Sequence, residues 1–298
     1  MTQPRRAYQD KKGDRWYYSF DPHSRYYGVT SAISVLDKPW LCPWYAKEVA
    51  ETAVEFMMDM AEFSVSIKRP FNESYIYPFW SPPGDVDWED LAKLLAQAPT
   101  LVRDSAGERG DAIHDYLKDL MEFSKGHAKK ARAYYEEHPP NDAIDSWVAP
   151  VLYWLDENEV EVIECEATLY NDTHGYAGSC DLIARVGDTV RYIDYKTSGT
   201  ISDTFALQVA AYAHCEYIIS DTDQRKDVPD EDVEGGILWI GDGTCKFVDI
   251  DISEDMFDAF LSCLLVKRLW SDGSSKEAIG KVLWKYPKSG RKRTAASS

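Results

Sequence analysis

The chain has 298 residues, 44% of them hydrophobic and 28% charged, with a formal net charge of −18. That length can bury a sizeable core, as one elaborated domain or two small ones, and no apolar run approaches the roughly 18 residues a membrane helix needs. So acidic a chain is not one that coats nucleic acid nonspecifically, because such surfaces are basic as a whole, but the balance still admits an enzyme that holds cations in a carboxylate site. The opening MTQPRRAYQDKKGDRW is charged and lacks a secretory apolar segment, so the expected location is the cytoplasm, that of the host if the chain is phage-encoded. Residues 1 to 28 read as an irregular or hairpin-like start with aromatics around a turn-prone DPHS. Thr30 or Ser31 is placed to cap a short helix through Leu36, and Pro43 to open a longer one, WYAKEVAETAVEFMMDMAEF. Two helix starts close together favour an anion, which makes Thr30 and Ser31 candidate phosphate contacts.

Residues 64 to 87, rich in Pro and aromatics, read as a long loop. Asp87 caps WEDLAKLLAQA, and a further helix follows Pro99. In it Ile113, Tyr116, Leu117, Leu120 and Met121 recur at helical spacing, with His114 at the edge of that stripe. The segment from Lys125 to Pro140 is a polar helix or helical loop, and AIDSWVAPVLYWLDENE a clearer helix. From about Val160 the pattern alternates and is rich in β-branched residues, so the chain turns to sheet. A strand ends near Tyr170, a hairpin spans 177 to 197, and a helix runs from about Asp203 to Ser220. A polar loop follows, then strands GGILWIG and CKFVDIDI joined at Asp242-Gly243, and a last helix from Ser253 to Trp270. The expected division is a helical region over 1–140, a core over 141–275 and a basic tail over 276–298. The basic residues are bunched from Arg5 to Arg15, Lys125 to Arg132 and Lys276 to Arg293. The six cysteines form no C-x-x-C pair, which points to buried thiols in a reduced compartment.

The hairpin from Gly178 to Lys196 carries the chemistry. Asp194 and Lys196 lie two apart on a strand and so share a face, and Asp181 sits on the preceding strand. Charges that meet at one end of an apolar hairpin are costly unless something binds them, and a metal ion is the usual solution. Asp-x-Lys alone is weak evidence, since Asp10-Lys11-Lys12 repeats it without a strand pattern. Its company strengthens it: Glu166 and Glu164 on the strand before, and Phe205, Gln208 and Tyr212 on one face of the helix after.

Taken together the chain resembles the PD-(D/E)XK nucleases, in the branch of RecB-like and phage exonucleases similar to the mitochondrial genome maintenance exonuclease. Five elements in order carry the resemblance: Gly110-Asp-Ala-Ile-His114, Glu166 in EATLY, Gly178-Ser-Cys-Asp181, Asp194-Tyr-Lys196, and Gln208-Val-Ala-Ala-Tyr212. The segment GVTSAISVLDKPWLCPWYAKEVA is similar to the N-terminal part of such exonucleases. The resemblance implies an α/β fold with a restriction-endonuclease-like core, a mixed central sheet flanked by helices, and an N-terminal helical elaboration. It implies a Mg²⁺- or Mn²⁺-dependent DNA exonuclease leaving 5′-phosphates, in phage recombination, replication or repair. Asp181, Asp194, His114 and the Tyr195 carbonyl would hold the ion, with Glu166, Asp181, Asp194 and Lys196 catalytic. Gln208 and Tyr212 would contact the substrate backbone or brace the site, Trp40, Trp44 and Lys47 would stack on or guide a strand end, and Thr30 and Ser31 would bind phosphate. No iron–sulfur cluster is expected, since the clustered C-terminal cysteines of relatives that carry one are missing. The partners implied are linear, end-bearing DNA and a single-strand annealing or replication protein, with no membrane; both a toroidal trimer and a monomer occur among similar proteins. A structure-specific endonuclease on the same core, or a nucleic-acid-binding module without turnover, are the alternatives.

Overall fold

The protein was analysed as a computed structural model that describes residues 6–20, 24–36, 41–60, 88–219, 223–271 and 273–279. The expected loop over 64 to 87, the Asp87 cap, Trp40 and most of the basic tail fall outside them. It is a mixed α/β structure built on one sheet. In chain order the strands are β1 (Ala7–Gln9), β2 (Arg15–Tyr18), β3 (Arg25–Gly28), β4 (Val160–Asn171), β5 (Tyr176–Val186), β6 (Thr189–Lys196), β7 (Tyr217–Ile219), β8 (Arg225–Asp227), β9 (Val233–Gly241) and β10 (Thr244–Ile250). The helices are α1 (Val29–Ile33), α2 (Leu41–Met60), α3 (Trp88–Ser124), α4 (Ala128–Glu137), α5 (Asp145–Glu157), α6 (Thr204–Ala213), α7 (Glu254–Ser271) and α8 (Ser274–Glu277).

The sheet is mixed in direction: β3 runs parallel to β5 and β6 parallel to β9, while the other pairs are antiparallel. β5 is its axis. One edge of β5 carries β4 along its whole length. The other edge carries β3 at Tyr176 and Ala177 and then β6 from Leu182 onward. Between those two neighbours β5 has a short stretch, residues 178–181, with no strand on that side among the described residues. Apolar side chains leave the sheet on both faces. Ile183, Tyr192 and Ile237 pack under α1, α6 and α7 through Ala32, Val209, Ala211 and Phe260. Leu182, Ile193 and Leu238 pack under α3, α4 and α5 through Ile113, Leu117, Ala131, Val148 and Leu155. The stripe read from Ile113 to Met121 is that contact, with Ile113, Leu117, Leu120 and Met121 fully buried.

Several boundaries differ from the sequence reading for identifiable reasons. Pro99 does not end a helix; α3 runs through it. An interior proline removes one backbone hydrogen bond and clashes with the carbonyl four residues back, and here good helix formers on both sides outweigh that loss. The helix expected to reach Ser220 stops at Ala213, because the side chain of Asn171 donates to the His214 carbonyl at 2.7 Å and Tyr217–Ile219 pairs with β4. Part of the expected polar loop forms β8, on the edge beside β7. Neither Thr30 nor Ser31 caps α1: Gly28 holds the N-cap position, with no side-chain cap.

Candidate metal centre

The site forms where β5 and β6 separate. Their last ladder pair is Leu182 with Ile193, so Asp181 and Asp194 are the first residues beyond it, facing one another across the opening. There the Asp181 carboxylate takes over the ladder, accepting the Tyr195 N–H at 2.6 Å. Glu166 comes from β4, where Cys165 pairs with Leu182 and Ala167 with Cys180, which sets it level with Asp181. Its backbone is left-handed, with φ 49°. That conformation is uncommon for a residue with a side chain and costs on the order of 1–3 kcal/mol. The twist interrupts the strand's alternation: Cys165 packs toward α3 and Ala167 toward α6. Across the pair, Leu182 and Cys180 divide in the same way. Both carboxylates consequently leave the sheet toward α3.

There they meet His114, and one ligand atom from each of His114, Glu166 and Asp181 lies within 4.8 Å of the others. Nδ1 of His114 faces Oδ1 of Asp181 at 3.4 Å, yet this buried nitrogen makes no hydrogen bond of ordinary geometry. The helix can bring His114 so close because of Gly110, one turn earlier; a Cβ at that position would stand 3.0 Å from Oγ1 of Thr197, just past the end of β6.

On the opposite face, Asp194 and Lys196 form an ion pair, and Gln208 of α6 binds both. Its Nε2 donates to Oδ1 of Asp194 and to the Tyr212 hydroxyl, each at 2.9 Å, while its Oε1 accepts from Nζ of Lys196 at 3.1 Å. The Phe205 ring lies 4.8 Å from the same ammonium. Tyr212 closes the arrangement against Gly178, where a Cβ would be 2.5 Å from its ring. Thus both motif glycines, Gly110 and Gly178, mark close approaches of a helix to the sheet.

The electrostatics show charges held closer than water would allow. Burial works against a charged His114, but the Asp181 carboxylate, with Asp194 behind it, outweighs that and lifts the imidazole to about 9. Burial also opposes ionisation of Asp181, which His114, Lys196 and the Tyr195 N–H nevertheless hold below its ordinary value. Glu166 is pushed up to about 7 by burial and then by the charge of Asp181. Burial raises Asp194 to about 6 against the pull of Lys196. Dehydrated carboxylates crowded in this way resist ionising together, and a divalent cation relieves that.

The donor set is imidazole nitrogen and carboxylate oxygen; carboxylates suit hard divalent cations and an imidazole suits transition metals. Oδ2 of Asp194 is buried with only Lys196 beside it, and Nδ1 of His114 has no bond partner, so the site retains ligand capacity that the protein itself does not use.

His114, Glu166, Asp181, Asp194, Tyr195, Lys196, Gln208 and Tyr212 are therefore brought together. Gln208 and Tyr212 are 6% and 2% exposed, so their burial suits bracing and not contact with a substrate backbone. The N-terminal candidates have surroundings of their own. Ser31 is buried and its Oγ accepts the Arg15 N–H at 2.7 Å; Thr30 is exposed. Trp44 packs on Tyr45, whose hydroxyl is 3.5 Å from Arg103, eleven residues and roughly 16 Å up α3 from His114. Lys47 is exposed and paired with Glu51 at 3.6 Å. Asp10, the first residue of the second Asp-x-Lys, is a turn residue, accepting the N–H groups of Lys12 and Asp14 and the indole of Trp16.

Two neighbours were missed. Ser179 donates to Glu166 at 3.4 Å, and Lys118, one turn beyond His114 on the same side of α3, lowers the cost of ionising Glu166. The i, i+4 spacing of His114 and Lys118 was the available signal.

No protein-family model matches the chain, and no curated protein matches it. Among solved structures it is similar to the crystal structure of SSO0001, at 12% identity over 57% of this chain and 86% of that one, with a TM-score of 0.28, a likeness too slight to bear on fold or activity.

Proposed function

We propose that this protein is a metal-dependent deoxyribonuclease, an exonuclease acting on linear DNA to leave 5′-phosphates, built on a restriction-endonuclease-like core. The observation that carries the reading is Asp181 and Asp194 facing each other across parting strands, with Lys196 two residues on and His114 and Glu166 closing the other side. His114, Asp181 and Asp194 would hold Mg²⁺ or Mn²⁺, with Glu166 completing the ring. An ion there supplies Lewis-acid polarisation of the scissile phosphate and a water of lowered pKa. Lys196, oriented by Asp194 and Gln208, would place its ammonium group beside the scissile phosphate. Gln208 and Tyr212 fix that orientation from behind. Glu166, drawn out of its strand, aims an acceptor into the same space.

The test is incubation of end-labelled linear DNA and closed circular DNA with Mg²⁺, beside Asp194→Ala and Lys196→Ala variants. Loss of linear DNA alone, abolished in both variants, is the expected result. Cutting of circles would move the assignment to an endonuclease, and binding without any cutting by the unmutated chain would overturn it.

A further inference from the structure

The N-terminal strands carry a surface that the carboxylate site does not use. Tyr8 on β1 stands opposite Trp16 on β2, and Tyr18, two residues on, stands opposite Arg25 on β3. Side chains two apart on a strand share a face, so these four form one block. Their contacts fix it. The Tyr8 and Tyr18 rings are 5.0 Å apart at 31°, Nη1 of Arg25 donates to the Tyr8 hydroxyl at 2.7 Å, and the guanidinium lies 5.8 Å from the Trp16 ring. Trp16 is held in turn by the Asp10 carboxylate at 3.0 Å and the Tyr27 ring at 3.9 Å.

The block is open to solvent at one end: Tyr8 and Trp16 are half-buried, Trp16 against the core under α6 and α7, while Tyr18 and Arg25 are exposed. Tyr18 is 50% exposed, and Arg25 is exposed with no carboxylate partner among the described residues. Arg185, Arg191 and Arg225, by contrast, are each tied to Asp or Glu. Lys11 and Lys12 add exposed positive charge at the β1–β2 turn. Flat rings beside exposed cations match a ligand that presents both negative charge and planar groups. An unpaired nucleotide strand has both; in a duplex the planar faces are already stacked. The block is linked to the site through the sheet, because β3 leads from Arg25 to Gly28, which pairs with Ala177 on β5, four residues before Asp181. Along the strands that is on the order of 20 Å.

We infer that Tyr8, Trp16, Tyr18 and Arg25 form a stacking platform for single-stranded DNA, engaging the unpaired strand of the substrate. This rests on the nuclease reading and adds to it the form of DNA recognised. The test is fluorescence anisotropy of the full chain in EDTA, with a labelled single strand and the matching duplex. Tyr8→Ala/Tyr18→Ala is expected to weaken single-strand binding about tenfold or more, with duplex binding changed less than about twofold. Arg25→Ala is expected to weaken it less and to flatten its salt dependence. Tyr18→Phe keeps the ring and is expected to bind as the parent does, which separates stacking from misfolding. Unchanged single-strand binding in the double variant, or an equal loss on both DNA forms, overturns the platform. Cleavage assays in Mg²⁺ on the same proteins keep the two readings apart. A parent that cleaves while the double variant binds normally loses only the platform; a parent that binds single strands through these residues but never cleaves loses only the nuclease.

Discussion

The two sides of the sheet treat their share of the site in opposite ways. On the α6 side, Asp194 and Lys196 are paired and Gln208 binds both, leaving only Oδ2 of Asp194 without a hydrogen bond. On the α3 side, His114, Glu166 and Asp181 crowd together with a buried nitrogen left unbonded and a carboxylate lifted toward neutrality. The contrast separates two tasks. One half keeps a lysine and an aspartate in a fixed geometry, and the other keeps donors in reserve.

The largest expected effect falls on the α6 side. Asp194→Ala or Lys196→Ala is expected to lower cleavage of end-labelled DNA on the order of a thousandfold. Next, binding of an ion stabilises the fold by mass action, so Mg²⁺ or Mn²⁺ is expected to raise the melting temperature of the parent protein. That rise is expected to vanish in Asp181→Asn and His114→Ala and to persist in Gln208→Ala, measured by calorimetry with and without the ion. Equal loss in all three would erase the distinction between the halves. Gly178→Ala, which drives a Cβ against Tyr212, is expected to cost about 1–3 kcal/mol in a denaturant melt. Gln208→Leu strips partners from Asp194, Lys196 and Tyr212; about 1–3 kcal/mol of stability and a modest loss of turnover are expected, with the midpoint of ion binding unmoved.

Much of this was legible in the sequence because it rests on local periodicity. The strands through Asp181 and Asp194, the buried stripe of α3 and the shared face of Gln208 and Tyr212 all follow from period-two and 3.6-residue patterns. What escaped depends on partners distant in the chain. Nothing near Glu166 announces a left-handed backbone in mid-strand, since that conformation is imposed by the pairing with β5. The end of α6 was overrun because its stop comes from Asn171, more than forty residues upstream. Thr30 and Ser31 read as anion contacts because two helix starts lie close in sequence, which says nothing of the bond that Ser31 of α1 accepts from the Arg15 N–H on β2.

Gly110 has a consequence for ion choice. A methyl group at Gly110 would press on Oγ1 of Thr197 just past the end of β6, and His114 rides on the same helix one turn away. Mg²⁺ takes ligands at about 2.1 Å and Ca²⁺ at about 2.3–2.6 Å, a difference comparable to the displacement a single methyl would impose. Gly110→Ala is therefore expected to shift the preference of the site toward the larger ion, read by competition titration. Selectivity between two cations would then be governed by a residue that touches neither.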